Sequence, residues 1–377
     1  MSNRSIKFSA VGDITLGDHP LCVGFGAYSR FRKEEPLFPF LKTLDTLQRS
    51  ELLFGNLECA HSQVGLHSGD YNSIQMRGDP RHIEAIVTAG FQVVNVANNH
   101  TLQHGKETFL DSVQQIERSG IVCCGLAADA QANNAKPVII QKNGLSVGFL
   151  GYSMRPRQYF EHAPLYAEGR AETMERDVQA LRKQTDAVIV SVHWGEEFIQ
   201  RPSPEEIQIA RRLVDAGADL IIGHHPHVLR GIERHGRGHI VYSLGNFVCD
   251  MVWDDTLRTS LIFECTITHD GIKDISLIPT YTNNDYQPEL LRGEQADAVL
   301  EQMGRLAKDL PKRQEADLAT ANGNYMRDAD SVHRHIRAKS HRFFLFRFWK
   351  YPAPILLQQL GTYFKNRLHE RFVAHGR

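Results

Sequence analysis

Short apolar runs alternate with stretches of helical period along most of the chain. Strands are predicted over 6–11, 52–54, 91–96, 121–123, 137–141, 146–151, 187–192 and 220–222. Helices are predicted over 37–47, 80–89, 106–118, 172–183 and 204–216. Repeated strand–helix–strand units imply parallel pairing with helical crossovers. Strands at 239–243, 260–268 and 275–279 then follow one another without long helices between them, the pattern of a second, more antiparallel sheet. The expected fold is α/β, a layered α/β/β/α sandwich with mixed sheets. It is expected to occupy residues 1–290, followed by a helical extension over 291–333 and a basic, aromatic C-terminal segment over 334–377.

Composition changes this picture little. A chain of 377 residues has room for one large α/β domain with additions. Its 42% hydrophobic and 23% charged residues are ordinary for a soluble globular protein, and a net charge of −1 argues neither for nor against a polyanionic partner. The six cysteines (22, 59, 123, 124, 249 and 265) form no CxxC pair, which argues against a zinc knuckle. Buried free thiols in a reducing, cytoplasmic compartment are expected instead. The first residues lack the apolar run of a secretory signal, so none is expected. No stretch approaches the roughly 20 apolar residues that span a bilayer.

The polar residues that end the strands carry the chemistry. In open α/β sheets ligands bind at the carboxyl ends of strands. Those ends deliver Asp13, then Asn56 and Glu58, then Asn98, Asn99 and His100, then His193, and finally His225 and His227 around Pro226. Each group alone has an ordinary reading: a turn, a helix cap, a loop cluster or a core histidine. Together these oxygen and nitrogen donors suit a borderline divalent cation such as manganese, iron, zinc or cobalt. Two ions about 3.5–4 Å apart would use this many ligands and would suit an in-line phosphoryl displacement. Pro226 is expected to hold His225 extended, with His224 second to the site or incidental.

The order of these groups resembles the calcineurin-like metallophosphoesterase superfamily, and more closely its branch of CapA-type capsule and poly-γ-glutamate biosynthesis proteins. The matching stretches are "VGDITLGD" (11–18), "GNLE" (55–58), "ANNHTLQHG" (97–105), "VHWGEEF" (192–198), "GADLIIGHHPHV" (217–228) and "YSLGNFVCD" (242–250). The resemblance covers about residues 5–285 and implies a metallophosphoesterase-like sandwich with one or two divalent ions. Position by position, it implies Asp13 and His227 as ligands of one ion, His193 and His225 of the other, and Asn99 as a further ligand. His100 resembles the residue that serves as general acid or stabilises the transition state. Asn246 resembles a site-lining residue and is grouped here with substrate binding. Two departures stand out: Asp-x-His is here Asp13-Ile14-Thr15, and Asn56 stands where a bridging aspartate is expected. A neutral amide bridges cations poorly, so Glu58 is expected to supply the charge. The CapA-like branch shares both features.

Beyond the centre, Arg155 and Arg157 follow a strand end and suit phosphate or carboxylate, although a solvated basic loop has the same composition. Glu196 and Glu197 read as cap or surface groups. Residues 334–377 hold ten Lys/Arg and one acidic residue, Glu370, so they carry about +9 against about −10 for the remainder. Their interleaved basic and apolar side chains suit an anionic membrane surface or a partner, or else a C-terminal helix packed on the core. The near-neutral body argues against nucleic acid. Two functions remain open. One is a metal-dependent phosphoesterase-like enzyme of capsule or poly-γ-glutamate synthesis, acting on a phosphorylated or anionic-polymer substrate. The other is a non-catalytic, metal-containing polyanion-binding or assembly factor, docked peripherally at the membrane. Asn99-His100 favours the first; Thr15 and Asn56 favour the second.

Overall fold

In the computed structural model, which describes residues 4–129, 133–155, 165–312, 318–358 and 360–361, sixteen strands are found. In chain order they begin β1 (Ser5–Ile14), β2 (Leu52–Leu57), β3 (Ala60–His61), β4 (Arg77–Gly78), β5 (Phe91–Asn95), β6 (Val122–Cys124), β7 (Val138–Lys142) and β8 (Leu145–Ser153). They continue β9 (Ala187–His193), β10 (Leu220–His224), β11 (Ile232–His235), β12 (Gly238–Val241), β13 (Asn246–Val248), β14 (Thr259–Thr268), β15 (Gly271–Thr282) and β16 (Pro288–Leu290). One large sheet runs β16-β15-β14-β1-β2-β5-β6, with β13 also paired to β1. Its β1, β2, β5 and β6 are parallel, while β14, β15 and β16 are antiparallel. The other runs β11-β12-β10-β9-β8-β7, parallel through β8, β9, β10 and β12 with antiparallel edges.

The period-2 alternation of each strand decides the layering. Ile6, Phe8, Leu52 and Phe54 of the first sheet meet Val147, Phe149, Ile189, Leu220 and Ile222 of the second in one buried cluster. The rings of Phe54 and Phe149 stack there at 5.9 Å. The intervening residues Val188, Val190 and Ile221 face outward onto Met174, Val178, Leu181 and Leu213 of the helices Ala171–Arg182 and Pro204–Asp215. On the opposite face, Leu53 and Val94 pack with Ile83, Ile86, Phe109 and Val113 of the helices His82–Ala89 and Lys106–Arg118. Each such side chain stabilises the fold by about 1.5–3 kcal/mol on full burial. The result is an α/β/β/α sandwich.

The element bounds differ from the sequence pattern in instructive places. The helix expected over 37–47 is two short pieces, a 3₁₀ turn Phe38–Phe40 and one α-turn Leu44–Leu47. Pro39 lacks an N–H for a continuous helix, and Thr43 departs from helical geometry with φ −121°. The short run at 275–279 lies inside the twelve-residue β15. Beyond the sheets, the helix Glu294–Lys308 sends Val299 and Met303 into the inter-sheet cluster. The helix Leu318–Leu345 runs unbroken through position 334. No helix among the described residues is long and apolar enough to cross a membrane.

Candidate metal centre

One row of paired residues crosses the first sheet at its carboxyl edge: Asn95, Asn56, Asp13 and Asn246. Asp13 reaches this row through a break in the β1 register between Ala10 and Asp13. Gly12 makes the break sterically possible, since a Cβ there would lie 1.9 Å from the Gly245 carbonyl oxygen. The Asp13 N–H then donates to Gly245 O at 3.0 Å. From the second sheet, β9 and β10 end in register on His193 and His224. Two sheet edges therefore bring carboxylate, amide and imidazole groups to the same end of the sandwich.

The chain after β10 departs from ordinary geometry. His225 has φ +94° and His227 φ +61°, so the residue before Pro226 is not extended, contrary to the sequence expectation. Side chains other than glycine rarely occupy this region, and doing so costs on the order of 1–3 kcal/mol. A neighbouring loop braces the strain. Gly195, at φ +80°, turns the chain back after β9, and the Phe198 N–H donates to Pro226 O at 2.7 Å. That bond pins Glu197 beside the two histidines.

Three overlapping sets of side chains have ligand atoms within 4.8 Å of one another: Glu58, His193 and His225; Asp13, Glu58 and His227; and Glu197, His225 and His227. Glu58 joins the first two sets. Its Oε2 accepts from Thr15 Oγ1 at 3.0 Å, so Thr15 orients Glu58. Its Oε1 is buried without a hydrogen-bond partner, 3.8 Å from Nε2 of both His193 and His227. Both ring nitrogens of the buried His225 also lack a partner. Buried polar atoms are seldom left so, and a cation would satisfy both the carboxylate oxygen and the imidazole lone pairs.

The protonation pattern agrees with lone-pair donation. Burial holds His193 and His225 well below the usual imidazole range, which keeps them neutral. Burial would raise the Asp13 carboxyl, but the neighbouring His224 and His227 imidazoles outweigh it and hold Asp13 well below the carboxylate range. Burial and the Asp13 charge push Glu58 up to about 8. His227 rises to about 10, because Glu58 and Asp13 outweigh its own burial. His227 has carboxylate oxygens 3.4 Å from Nδ1 and 3.8 Å from Nε2, which favours a proton on its ring. A divalent cation would displace it.

The other expected site residues fall into distinct places. Asn99 Oδ1 lies 2.8 Å from His193 Nε2. His100 stands outside all three ligand sets, with Nδ1 2.9 Å from Gln103 Oε1. Asn56 is committed to hydrogen bonds: Nδ2 donates to Asp13 Oδ1 at 2.8 Å, and Oδ1 accepts from Asn95 Nδ2 at 2.9 Å. Asn246 Oδ1 lies 2.9 Å from His227 Nδ1, and its amide donates to Leu257 O, so it orients that imidazole. His224 Nδ1 sits 3.5 Å from Asp13 Oδ1. Arg155 Nη1 bonds Gly195 O and Glu196 Oε1; Arg157 lies outside the described residues.

Sequence reasoning missed Glu197, which belongs with His225 and His227. Its signal was the Gly195 turn, yet the direction of that turn depends on a contact 28 residues downstream (198 to 226). It also missed the wall of the site mouth. A cavity of about 350 Å³ beside Glu197 is lined by Arg155, His19 and Trp253, and by His333, Arg337 and Ser340 of the C-terminal helix. His333 Nε2 lies 2.9 Å from Glu197 O.

A family described as bacterial capsule synthesis protein PGA_cap matches residues 7–251. The chain is 30% identical over 277 residues to the capsule biosynthesis protein CapA of Bacillus anthracis, covering 69% of this chain and 64% of that one. It is likewise 30% identical over 267 residues to the PGA biosynthesis protein CapA of Bacillus subtilis (strain 168), covering 69% and 68%. The chain thus spans just under two thirds of the Bacillus anthracis relative's length. Among solved structures, a 5'-nucleotidase from Candida albicans SC5314 superposes with a TM-score of 0.44 at 12% identity, over 90% of this chain and 59% of that one. Matched over residues 7–251 and 30% identical to two capsule-synthesis relatives, the chain belongs to the PGA_cap family of bacterial capsule synthesis proteins.

Proposed function

We propose that the chain is a metal-dependent phosphoesterase-like enzyme acting in capsule or poly-γ-glutamate synthesis. The observation that carries this reading is the facing pair of unsatisfied buried groups, Glu58 Oε1 and the His225 imidazole. Asp13, Glu58 and His227 would hold one ion, and Glu58, His193 and His225 a second, with Glu197 at the open side. Bound there, divalent cations would act as Lewis acids toward a phosphoester oxygen and a water nucleophile. The protein's own part is positioning and proton management. Asn99 Oδ1, 2.8 Å from His193 Nε2, would join that nitrogen as a further donor to the ion, and Asn246 steadies His227. Gln103 Oε1 fixes the Nδ1 proton of His100, which leaves Nε2 to exchange a proton with the reacting group. Arg155 would take an anionic part of the substrate, a phosphorylated group or a stretch of anionic polymer, at the cavity mouth. Six unpaired buried cysteines support a reducing compartment.

A second reading, a non-catalytic polyanion-binding or assembly factor, draws support from Asn56. Its amide is spent on Asp13 and Asn95 and brings no charge to the centre. Metal analysis of chelator-free protein, with a panel of phosphomonoesters and phosphodiesters, tests both. His225→Ala and His227→Ala should each lower bound metal at least tenfold. Unchanged stoichiometry in both variants would sink the metal centre. Full loading without turnover of any ester would favour the binding factor.

A further inference from the structure

The C-terminal segment sorts its aromatic side chains in two directions. Phe343, Phe344, Tyr351 and Ile355 turn inward; all but Phe343 join Val23 and Tyr71 in a small core. Phe343 packs edge-on against Trp253 at 5.4 Å, and the Tyr351 hydroxyl donates to Leu21 O. The α-helix ends at Leu345 and a 3₁₀ turn, Phe348–Lys350, follows. Because the helix stops there, the aromatics on either side of the break need not share one helical face. Five other large apolar side chains point out: Leu345 is 61% exposed, Phe346 63%, Phe348 50%, Trp349 64% and Leu357 73%. Among the described residues, the other exposed large hydrophobics are scattered singly, and none of them is aromatic. Scattered exposure is ordinary, but a cluster of this kind marks an interaction surface.

Charge decides what covers it. No acidic residue occurs between Asp330 and Glu370. Arg342 and Lys350 are exposed beside the aromatics, and Arg347 lies over the Phe343 ring at 4.2 Å. Next to them opens an apolar groove of about 370 Å³, lined by Val23, Leu66, Ile74 and Pro352 and rimmed by Arg32 and Lys33. We propose that this face docks on an anionic lipid bilayer, with the aromatics at the headgroup boundary and the basic side chains on lipid phosphates. An anionic bilayer answers both features at once, whereas a second copy would set basic residues against basic residues.

Docking here would also orient the candidate centre. His333, Arg337 and Ser340 of the same helix line the cavity beside Glu197. Arg337 is nine residues from Phe346, about 14 Å along a helix at 1.5 Å per residue. The site mouth would therefore open close to the bilayer, toward an anionic substrate tethered in it. Only this last step rests on the metal-centre reading; the docking itself needs no metal.

The test is sedimentation of the full chain with vesicles of phosphatidylcholine alone and of equimolar phosphatidylcholine and phosphatidylglycerol. Binding should appear only with the anionic vesicles and weaken as salt rises from about 0.1 M to about 1 M, where the Debye length shrinks from ~10 to ~3 Å. Phe346→Ser with Trp349→Ser should lower the partition at least tenfold, and Arg342→Gln with Lys350→Gln should remove most of the salt dependence. These positions are exposed, so metal content and melting temperature should not move. Wild-type protein that ignores anionic vesicles, or an aromatic double variant that binds as wild type does, overturns the proposal. So does a wild-type dimer that the aromatic variant converts to monomer without any vesicle binding, since a second copy would then be the occupant. Metal-free protein that binds anionic vesicles would uphold the docking surface while counting against the metal centre alone.

Discussion

Arg230 offers the sharpest test of how the candidate centre is held. It is fully buried, and its guanidinium joins three parts of the molecule. Nη1 donates to Glu206 Oε1 at 2.5 Å, Nε to Ile199 O at 2.7 Å, and Nη2 to Glu196 O at 3.1 Å and the Tyr325 hydroxyl at 3.5 Å. Glu206 is itself buried and closes the capping box with Ser203 at the start of its helix. Arg230→Met would fill a similar volume but leave the Glu206 carboxylate buried without its countercharge. Breaking a buried pair from one side costs about 3–5 kcal/mol. For a chain of this length each kcal/mol moves the melting temperature by about 1.3 °C, so a fall of roughly 4–6 °C is expected. Thermal melts of Arg230→Met, Glu206→Gln and the double variant give the coupling. The double variant should recover on the order of 1–3 kcal/mol relative to the sum of the single changes. Because Glu196 and Ile199 flank Glu197, Arg230→Met should also loosen the loop that carries Glu197 and weaken metal retention. A single variant that melts within about 2 °C of wild type, or strict additivity in the double, would refute the reasoning.

Two further outcomes follow from the geometry. His100→Asn should keep bound metal at the wild-type level, because His100 belongs to none of the ligand sets, and should lower any ester hydrolysis by about 10²–10⁴-fold; metal loss in this variant would make His100 a ligand. Burial and the Asp18 charge push Asp250 up to about 7, so between about pH 4 and pH 7 the folded chain keeps a proton that the unfolded chain has lost. Its contribution is present below about pH 4 and lost as pH rises to 7, at up to roughly 4 kcal/mol. Asp250→Asn should therefore flatten this part of the stability–pH profile in urea melts and gain most at pH near 8; an unchanged slope would show that Asp250 does not control it.

The two sheets were legible because alternation is a local property. Phe8, Phe54, Phe149 and Ile189 turn inward for the same reason that their strand neighbours turn outward, and no distant contact is needed to read this. The ends of those strands were legible too. Asp13, Asn56 and His193 reach the cleft by strand register.

Residues placed by loops were not legible, since long-range contacts decide where loops go. Pro226 alone suggests an extended His225, yet φ is +94°, held by the bond from Phe198 to Pro226 and by the Asp13 carboxylate accepting the His225 N–H at 3.1 Å. Glu197 looked like a surface group because its position depends on that same bond and on Arg230, which grips the carbonyls on either side of it. The C-terminal aromatics could not be sorted for a related reason. Their directions follow from where the helix stops and which of them finds Val23, Phe25 and Trp253, contacts more than 80 residues away in the chain. The strained and long-range positions coincide with the candidate chemistry. A stable sheet edge can present ligands in a row, but drawing His225 and His227 together beside Glu197 uses backbone that no local preference would choose. The strain at His225 and His227 is thus an argument for a ligand on physical grounds. Hydrogen bonds from Phe198 and to Asp13 hold that backbone in place, while Glu58 Oε1 and the His225 ring nitrogens are left for a cation to satisfy.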